Sequence, residues 1–478
     1  MHSKVSFVSL PSARQAMLRL WALTLLVCAV LIGSANFVSA ETLKRALAAA
    51  YKTNPTLNAE RANVRSIDEQ TSQARSNFRP TVTGTLETGY RKTNPNGKGG
   101  STSTGGTHHP EGYRVTINQS LFRGFRTINA MHEAEANILS ARSNLRAVEQ
   151  RVLLSGVTAY MDVVRDQAIV RLREGNVRVL SKQLNATKDR FEVGEVTKTD
   201  VAQAEARRSG ATSLLSLAQS NLKTSRASYD RIMGHPPSNL VEPLPIDSLL
   251  PHALPSALSL GEAENPTLQA ATFAEEASRY AIKQIKGEMR PTVSVEASYS
   301  DFLEPSVFLD RDKETSVTGR VTIPLYSKGE PSSRARAAVE TNRQRRQQVD
   351  EARSQTRSDV VATWGRLMAS RAQIISDQAQ VGANKIALNG VKEEEKVGQR
   401  TILDVLDAEQ EFLDAQVTLV TTERDRVVAA FNLLSAVGRL AAATLRLPVE
   451  EYDPTVHYDR VKHKWFGTNP DRRGFFRR

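Results

Sequence analysis

The stretch RFEVGEVTKTDVAQAEA, residues 190–206, decides how this chain is read, because a second version, EEKVGQRTILDVLDAEQ, occupies residues 394–410. Val193-Gly194 corresponds to Val397-Gly398, Asp200-Val201 to Asp404-Val405, and Ala204-Glu205 to Ala408-Glu409, each 204 positions later. A spacing held constant over such a distance marks an internal repeat rather than a local motif. Leu121-Phe122 returns as Leu325-Tyr326 and Gly234 as Gly438 at the same spacing, whereas Asn54-Pro55 and Arg79-Pro80 return as Asn265-Pro266 and Arg290-Pro291, 211 positions later. The difference falls in NPNGKGGSTSTGGTHHPEG (94–112), a Gly/Ser/Thr-rich loop that tolerates insertion. The expected units are therefore a first repeat, 41–234, with its tip near 194, and a second, 265–438, with its tip near 398. A proline-rich crossover, 235–264, joins them, and a C-terminal segment, 439–478, ends in the basic tail DRRGFFRR.

Within each unit the hydrophobic period changes. After Pro80, Val82, Leu86 and Tyr90 alternate with Thr81, Thr83, Thr85 and Glu87; after Pro291, Val293, Val295, Ala297 and Tyr299 alternate with Thr292, Ser294, Glu296 and Ser298. Partner strands follow around Val115-Ile117 and Val321-Ile323, giving one strand pair per unit, 81–122 and 292–326. Period two with one polar face suits a half-buried soluble strand. It suits equally a barrel strand with lipid on one side and a lumen on the other. The remainder reads as helix. Val201, Ala204, Arg208, Ala211, Leu215, Ala218, Leu222, Ser225, Tyr229 and Ile232 step by three and four, a heptad seam rich in small residues. From Leu121 to Phe191 there is no proline, so the spacing predicts a rod of roughly 105 Å, matched by 326–395. Two shorter helices, 55–78 and 197–233, would lie end to end beside it, with Asn54-Pro55 and Asn265-Pro266 as N-cap and N1 pairs.

Each chain then owns four strands, too few to close a barrel, for which about eight is the practical minimum. An open edge in hydrocarbon leaves backbone groups without partners. Lipid-facing strands would therefore have to be shared among copies, eight in a dimer or twelve in a trimer, and the rods would continue them as a helical tube. The other reading is a secreted periplasmic coiled-coil structural or adaptor protein without a pore, its strands forming a small soluble domain.

Composition narrows the choice. Residues 1–40 have the form of an export signal, with Lys4, Arg14 and Arg19, an apolar run at 21–33, and Val38-Ser39-Ala40 before Glu41. The one cysteine, Cys28, lies inside that signal, so the mature chain is expected to carry no disulfide. The net charge of +12 falls to +9 when the signal is removed, and the excess is scattered or concentrated in the tail without aromatic interleaving along a groove, which argues against nucleic acid. GKGGST (97–102) lacks the order of a phosphate loop, and His108-His109 read as exposed loop histidines with no further ligand nearby. No catalytic constellation or cofactor signature is present, so an enzyme is not expected.

VTINQSLFRGFR (115–126), the two tip stretches, and YDPTVHYDRVKHKWFG (452–467) resemble the TolC outer-membrane factor family, the last most closely its type I secretion subgroup. The resemblance covers nearly all of the mature chain. It implies an α+β membrane protein in the outer membrane of a Gram-negative bacterium. Three chains would build a trimeric 12-stranded β-barrel, four strands from each, continuous with a long periplasmic α-helical barrel, the C-terminal segment lying at the equator. The homotrimer would meet a periplasmic adaptor (membrane fusion) protein and an inner-membrane transporter of RND or ABC type, and would conduct drugs, toxic compounds or secreted proteins. The implied site residues are Asp404 and Asp407 as carboxylate rings at the entrance, Asp200, Arg400 and Glu395 among the contacts closing it, and Val193, Gly194, Val397 and Gly398 as adaptor-docking tips. Glu395 stands where the family's better-known drug-efflux members have an aromatic residue, which would add an acidic group at the mouth.

A plainer role competes at two of these positions. Thr197-x-x-Asp200 and Thr401-x-x-Asp404 match the helix-start capping box, where a carboxylate also suits the helix dipole. Asp407, one turn deeper, has no such explanation.

Overall fold

The computed structural model describes residues 41–94, 105–243 and 245–469. The expected signal peptide (1–40) and the basic tail lie outside them. The elements run α1 (Leu43–Thr53), α2 (Pro55–Ser76), β1 (Thr81–Thr88), β2 (Arg91–Thr93), β3 (Gly106–His108), β4 (Glu111–Arg123), α3 (Arg126–Glu192) and α4 (Lys198–Met233). They continue with α5 (Leu254–Glu264), α6 (Pro266–Lys286), β5 (Thr292–Ser306), β6 (Leu309–Thr322), α7 (Glu330–Lys396), α8 (Ile402–Ala436) and α9 (Thr455–Val461).

The rods α3 and α7 have 67 residues each, about 100 Å at the helical rise. Both start later than hydrophobic spacing suggested. β4 continues through Arg123, and the chain turns at Gly124 and Phe125, with φ of 62° and 66°, before α3 begins. A Cβ on Gly124 would stand 2.2 Å from the Gly287 carbonyl, so this crossing needs glycine. Pro331 sits in the first turn of α7, where a missing N–H costs nothing.

The short helices lie in columns beside the rods: α2 and α4 against α3, and α6 and α8 against α7, with α6 and α8 also touching α3. The joints within each column explain how two helices act as one. Asn54 Oδ1 accepts from Thr56 and Leu57 N–H at the start of α2, while its Nδ2 donates to Ile232 O near the end of α4, 3.3 Å away. Asn265 does the same between α6 and α8, reaching Ala436 O at 3.0 Å. One amide thus satisfies orphan donors of one helix and an orphan carbonyl of the next. Residues 235–264, expected as an irregular crossover, hold α5 over their last eleven residues, packed on α7.

The main apolar core surrounds these joints, built from Leu153, Val157 and Tyr160 of α3, Tyr229 and Met233 of α4, Leu433 and Leu434 of α8, and Leu47 of α1. Of the α4 seam, Ala204, Ala211, Ala218, Leu222, Tyr229 and Ile232 are buried, whereas Ser225 is half-buried and Arg208 exposed. Tyr160 and Tyr229 anchor Glu41: the Tyr229 hydroxyl donates to its carboxylate at 2.7 Å and the Tyr160 hydroxyl lies 2.8 Å from its carbonyl oxygen. Burial, chiefly, pushes the Tyr160 hydroxyl up to about 12.

β1-β4-β5-β6 form one antiparallel sheet, with β4 and β5, one from each half of the chain, pairing at its centre. The register puts Val82, Leu86, Tyr113, Val115, Ile117, Val293, Val295, Ala297, Tyr299, Val317 and Val321 on one face. Thr81, Thr83, Thr85, Arg114, Thr116, Asn118, Glu296, Ser298, Thr318 and Arg320 take the other. The first face is mainly apolar, broken by Gln119, by Thr315, by Thr88 with Glu111, and by a salt-bridged group, Asp301 with Arg311 and Lys313. β1 and β6 are the outer edges. A small hairpin, β2–β3, occupies part of the stretch expected as loop, and His108 is buried in it rather than exposed. Among the described residues no helix is long and apolar enough to cross a membrane.

Candidate functional site at the helical turns

The turns α3–α4 and α7–α8 lie at the ends of the rods remote from the sheet, and they are built alike. Gly194 and Gly398 adopt φ of 82° and 76°, with open space where a Cβ would project. Glu195 N–H donates to Arg190 O and Gln399 N–H to Glu394 O, both at 2.9 Å, closing the ends of the rods in the manner of a left-handed C-cap. Val193 and Val397, immediately before the glycines, are exposed, so each tip offers one uncovered apolar side chain.

Each following helix opens with a capping box. Asp200 Oδ2 accepts from Thr197 N–H and hydroxyl, both at 2.8 Å; Asp404 Oδ2 accepts from Thr401 N–H at 2.9 Å and from its hydroxyl at 2.8 Å. These bonds, with the nearby Arg400 charge as a weaker influence, hold the Asp404 carboxyl below the usual aspartate range. The plainer role is therefore real at both positions, and it leaves one oxygen of each carboxylate for other work.

Ion pairs organise other charges at the turns, among them Lys392 with Glu409 at 2.9 Å between α7 and α8. Arg190 Nη1 meets Glu395 Oε1 at 2.6 Å, linking the last turns of α3 and α7. Arg207 of α4 is hydrogen-bonded to Asp407 of α8, a second tie between the two halves. Arg400 Nε pairs with Glu394 at 2.9 Å within its own turn. Of the sequence-predicted residues, the structure thus brings Asp404 and Asp407 onto the first turns of one helix, with Arg400 near Asp404 and Glu395 in the last turn of α7. Within one chain it does not bring Asp200 to Arg400. Nor is Glu395 a spare acidic group, since its 14%-exposed carboxylate is matched by Arg190.

Arg190 and Arg207 escaped the sequence reading, as did the apolar wedge beneath the turns, where Ile402 and Leu406 of α8 pack with Leu180 of α3 and Ala211 of α4. The signal was available in the repeat itself. At the corresponding positions the first copy has Lys198 and Ala202, so the second turn alone carries bulky side chains to insert. The described residues contain no cluster able to hold a metal.

This architecture and both halves of the sequence match one family model, described as outer membrane efflux protein, over residues 46–235 and 257–439. The chain belongs to the outer membrane efflux protein family. Among curated relatives, this efflux protein is 39% identical over 455 residues to the outer membrane efflux protein BepC of Brucella suis, covering 95% of this chain and 97% of that one. It is 24% identical over 347 residues to the alkaline protease secretion protein AprF of Pseudomonas aeruginosa, covering 70% of each. Among solved structures, the CmeC outer membrane channel of Campylobacter jejuni superposes with a TM-score of 0.76 at 14% identity, over 88% of this chain and 89% of that one. The efflux protein is thus an outer-membrane export channel of the TolC type extending into the periplasm, and not an enzyme.

Proposed function

We propose that three copies close one 12-stranded barrel, four strands from each, and that their rods wall a single periplasmic tunnel. The chain is then a duplicated unit, 41–234 and 265–438, joined by the crossover at 235–264, with 1–40 removed on export and the C-terminal segment that starts at 439 lying at the equator as far as α9. The observation that carries this reading is the sheet: one face mainly apolar, the other mainly polar, and a free edge on each side. Pairing β6 of one copy with β1 of the next satisfies both edges, turns the apolar face to lipid, and lines the lumen with Thr, Ser, Glu and Arg.

At the inner end, Val193-Gly194 and Val397-Gly398 would dock a periplasmic adaptor, which couples the channel to an inner-membrane transporter of RND or ABC type. Asp404 and Asp407 of three chains would form the entrance rings, drawing cations to the mouth as charged rings do in other pores. Arg190–Glu395, Arg207–Asp407 and Arg400, with Asp200 of a neighbouring copy, would hold the entrance narrow. Substrates pass passively, and the likeness both to an efflux protein and to a protease secretion protein supports small toxic compounds and unfolded polypeptides alike. A deletion strain tests the role. It should become sensitive to detergents and hydrophobic drugs or lose secreted proteins from its medium, and restoration by the plasmid-borne gene should reverse the defect. Unchanged drug tolerance together with an unchanged secretome would refute it.

A further inference from the structure

The segment after α9 is held against the last turns of α2 with more polar contacts than its few residues require. Lys464 O accepts from Arg79 Nη1 at 2.8 Å and from the Ser72 hydroxyl at 3.3 Å, and His463 Nδ1 lies 3.0 Å from Arg75 Nη1. The Arg79 guanidinium also covers one side of the Trp465 ring, 4.5 Å from its centroid. These contacts fix the backbone beside Pro80, where the chain passes from helix into β1. On the single chain Trp465 is nevertheless 60% and the adjacent Phe466 86% exposed.

The level at which they project is significant. The same crossing carries an exposed Phe78 beside Arg79, and the crossing into β5 carries an exposed Met289 beside Arg290. Exposed aromatics beside lysine and arginine match a membrane–water interface, where amphipathic rings sit among headgroups and cations meet lipid phosphates. Lys464, whose ammonium donates among the described residues only to Asn469 O at 3.1 Å, adds to the positive side, whereas Lys462 is paired with Asp459 at 2.7 Å. Beyond residue 469 the sequence continues with Arg472, Arg473, Phe475 and Phe476, of the same character.

We propose that residues 462–466 are a membrane-surface anchor. In it Trp465 and Phe466 enter the headgroup region of the periplasm-facing leaflet, and Lys464, with Arg290 at the β5 crossing, takes the phosphates of anionic phospholipid. The anchor rests on the reading that the sheet spans the outer membrane. It would fix the height of the channel in the bilayer and tie the C-terminal segment to that height.

The test uses the full chain, reconstituted in phosphatidylcholine vesicles with or without phosphatidylglycerol. A Trp364→Phe variant leaves Trp465 as the sole tryptophan after residue 40. Lipids brominated near the headgroup end of their chains should quench Trp465 roughly twofold, more strongly with phosphatidylglycerol present, while aqueous acrylamide should have little effect. Quenching by acrylamide alone would overturn the anchor. So would protection from both quenchers, which would show a neighbouring copy covering the ring. Arg290→Gln with Lys464→Gln should erase the dependence on phosphatidylglycerol, and its persistence would overturn the phosphate assignment. A control carries Val317→Trp with both native tryptophans changed to phenylalanine. Deep-brominated lipid quenching Val317→Trp while headgroup-end-brominated lipid leaves Trp465 unquenched rejects the anchor alone, whereas failure of deep-brominated lipid to quench Val317→Trp rejects the membrane-spanning sheet itself.

Discussion

Val317 to arginine is the most informative single substitution in the sheet. The residue lies on the apolar face of β6 opposite Ala297, is 73% exposed on the single chain, and stands five residues from the end of the strand at Thr322. Five residues rise about 17 Å along a strand, or about 13 Å across the membrane at the usual barrel tilt of ~40°, close to the middle of a lipid-facing band ~25 Å tall. An arginine there costs about 2–4 kcal/mol per chain, and the three chains of one barrel carry it together. Even one chain's share corresponds to roughly a 25- to 700-fold shift against assembly. Thr318, the next residue, lies on the polar face opposite Glu296, so Thr318→Arg should stay within about 0.5 kcal/mol of wild type. The assay is the fraction of total protein recovered from the outer-membrane fraction as an oligomer that migrates differently after boiling. Loss of that species for Val317→Arg and its retention for Thr318→Arg is the expected pattern. Equal behaviour of the two variants, or damage from Thr318→Arg alone, would refute the assignment of faces.

The remaining predictions concern the turns. Gly438→Ala should lower thermal stability of the solubilised protein far more than Gly398→Ala. Both have positive φ, but a Cβ on Gly438 would meet Glu264 O at 2.4 Å whereas Gly398 has nothing within 4 Å. Melting curves should show a cost above ~2 kcal/mol for the first against ~1 kcal/mol for the second. Arg190→Ala strands the Glu395 carboxylate and loosens the tie between α3 and α7, so single-channel conductance should rise and intact cells should leak. Asp404→Ala with Asp407→Ala should abolish block by a trivalent cation, and unchanged block would remove both from the entrance rings. The pH dependence follows the sign of the Asp404 shift. A lowered folded value means that its charge, and its contribution to the cap, are present above the unfolded value near 3.8 and are lost only as pH falls through the lower folded value. In an Asp407→Ala background, cation block should therefore be flat from pH 7 to about 4, and block already halved at pH 5 would assign it to another group.

Much of this molecule is legible in one dimension because its structure is periodic. The Asn-Pro pairs announced both short-helix starts, since only a side-chain acceptor before a preset φ satisfies them cheaply, and the alternation after Pro80 and Pro291 gave the first strand of each pair. The second role of Asn54 and Asn265, bonding the end of another helix, could not be read, because it joins residues some 170 positions apart. Helices α1, α5 and α9 were missed because they are short and sit among loops, stabilised by burial against the rods rather than by their own pattern. At the turns, the capping aspartates were visible as sequence signatures. Arg190–Glu395 and Arg207–Asp407 were not, because an ion pair between two halves of a chain leaves no local spacing.

The central claim is that the sheet of one chain is a fragment of a wall. Native mass measurement of the protein, gently extracted from outer membranes in detergent, tests it most directly. The prediction is a single species of three chains that survives dilution, its edges β1 and β6 satisfied by neighbours. A one-chain particle that retains full pore conductance would contradict it.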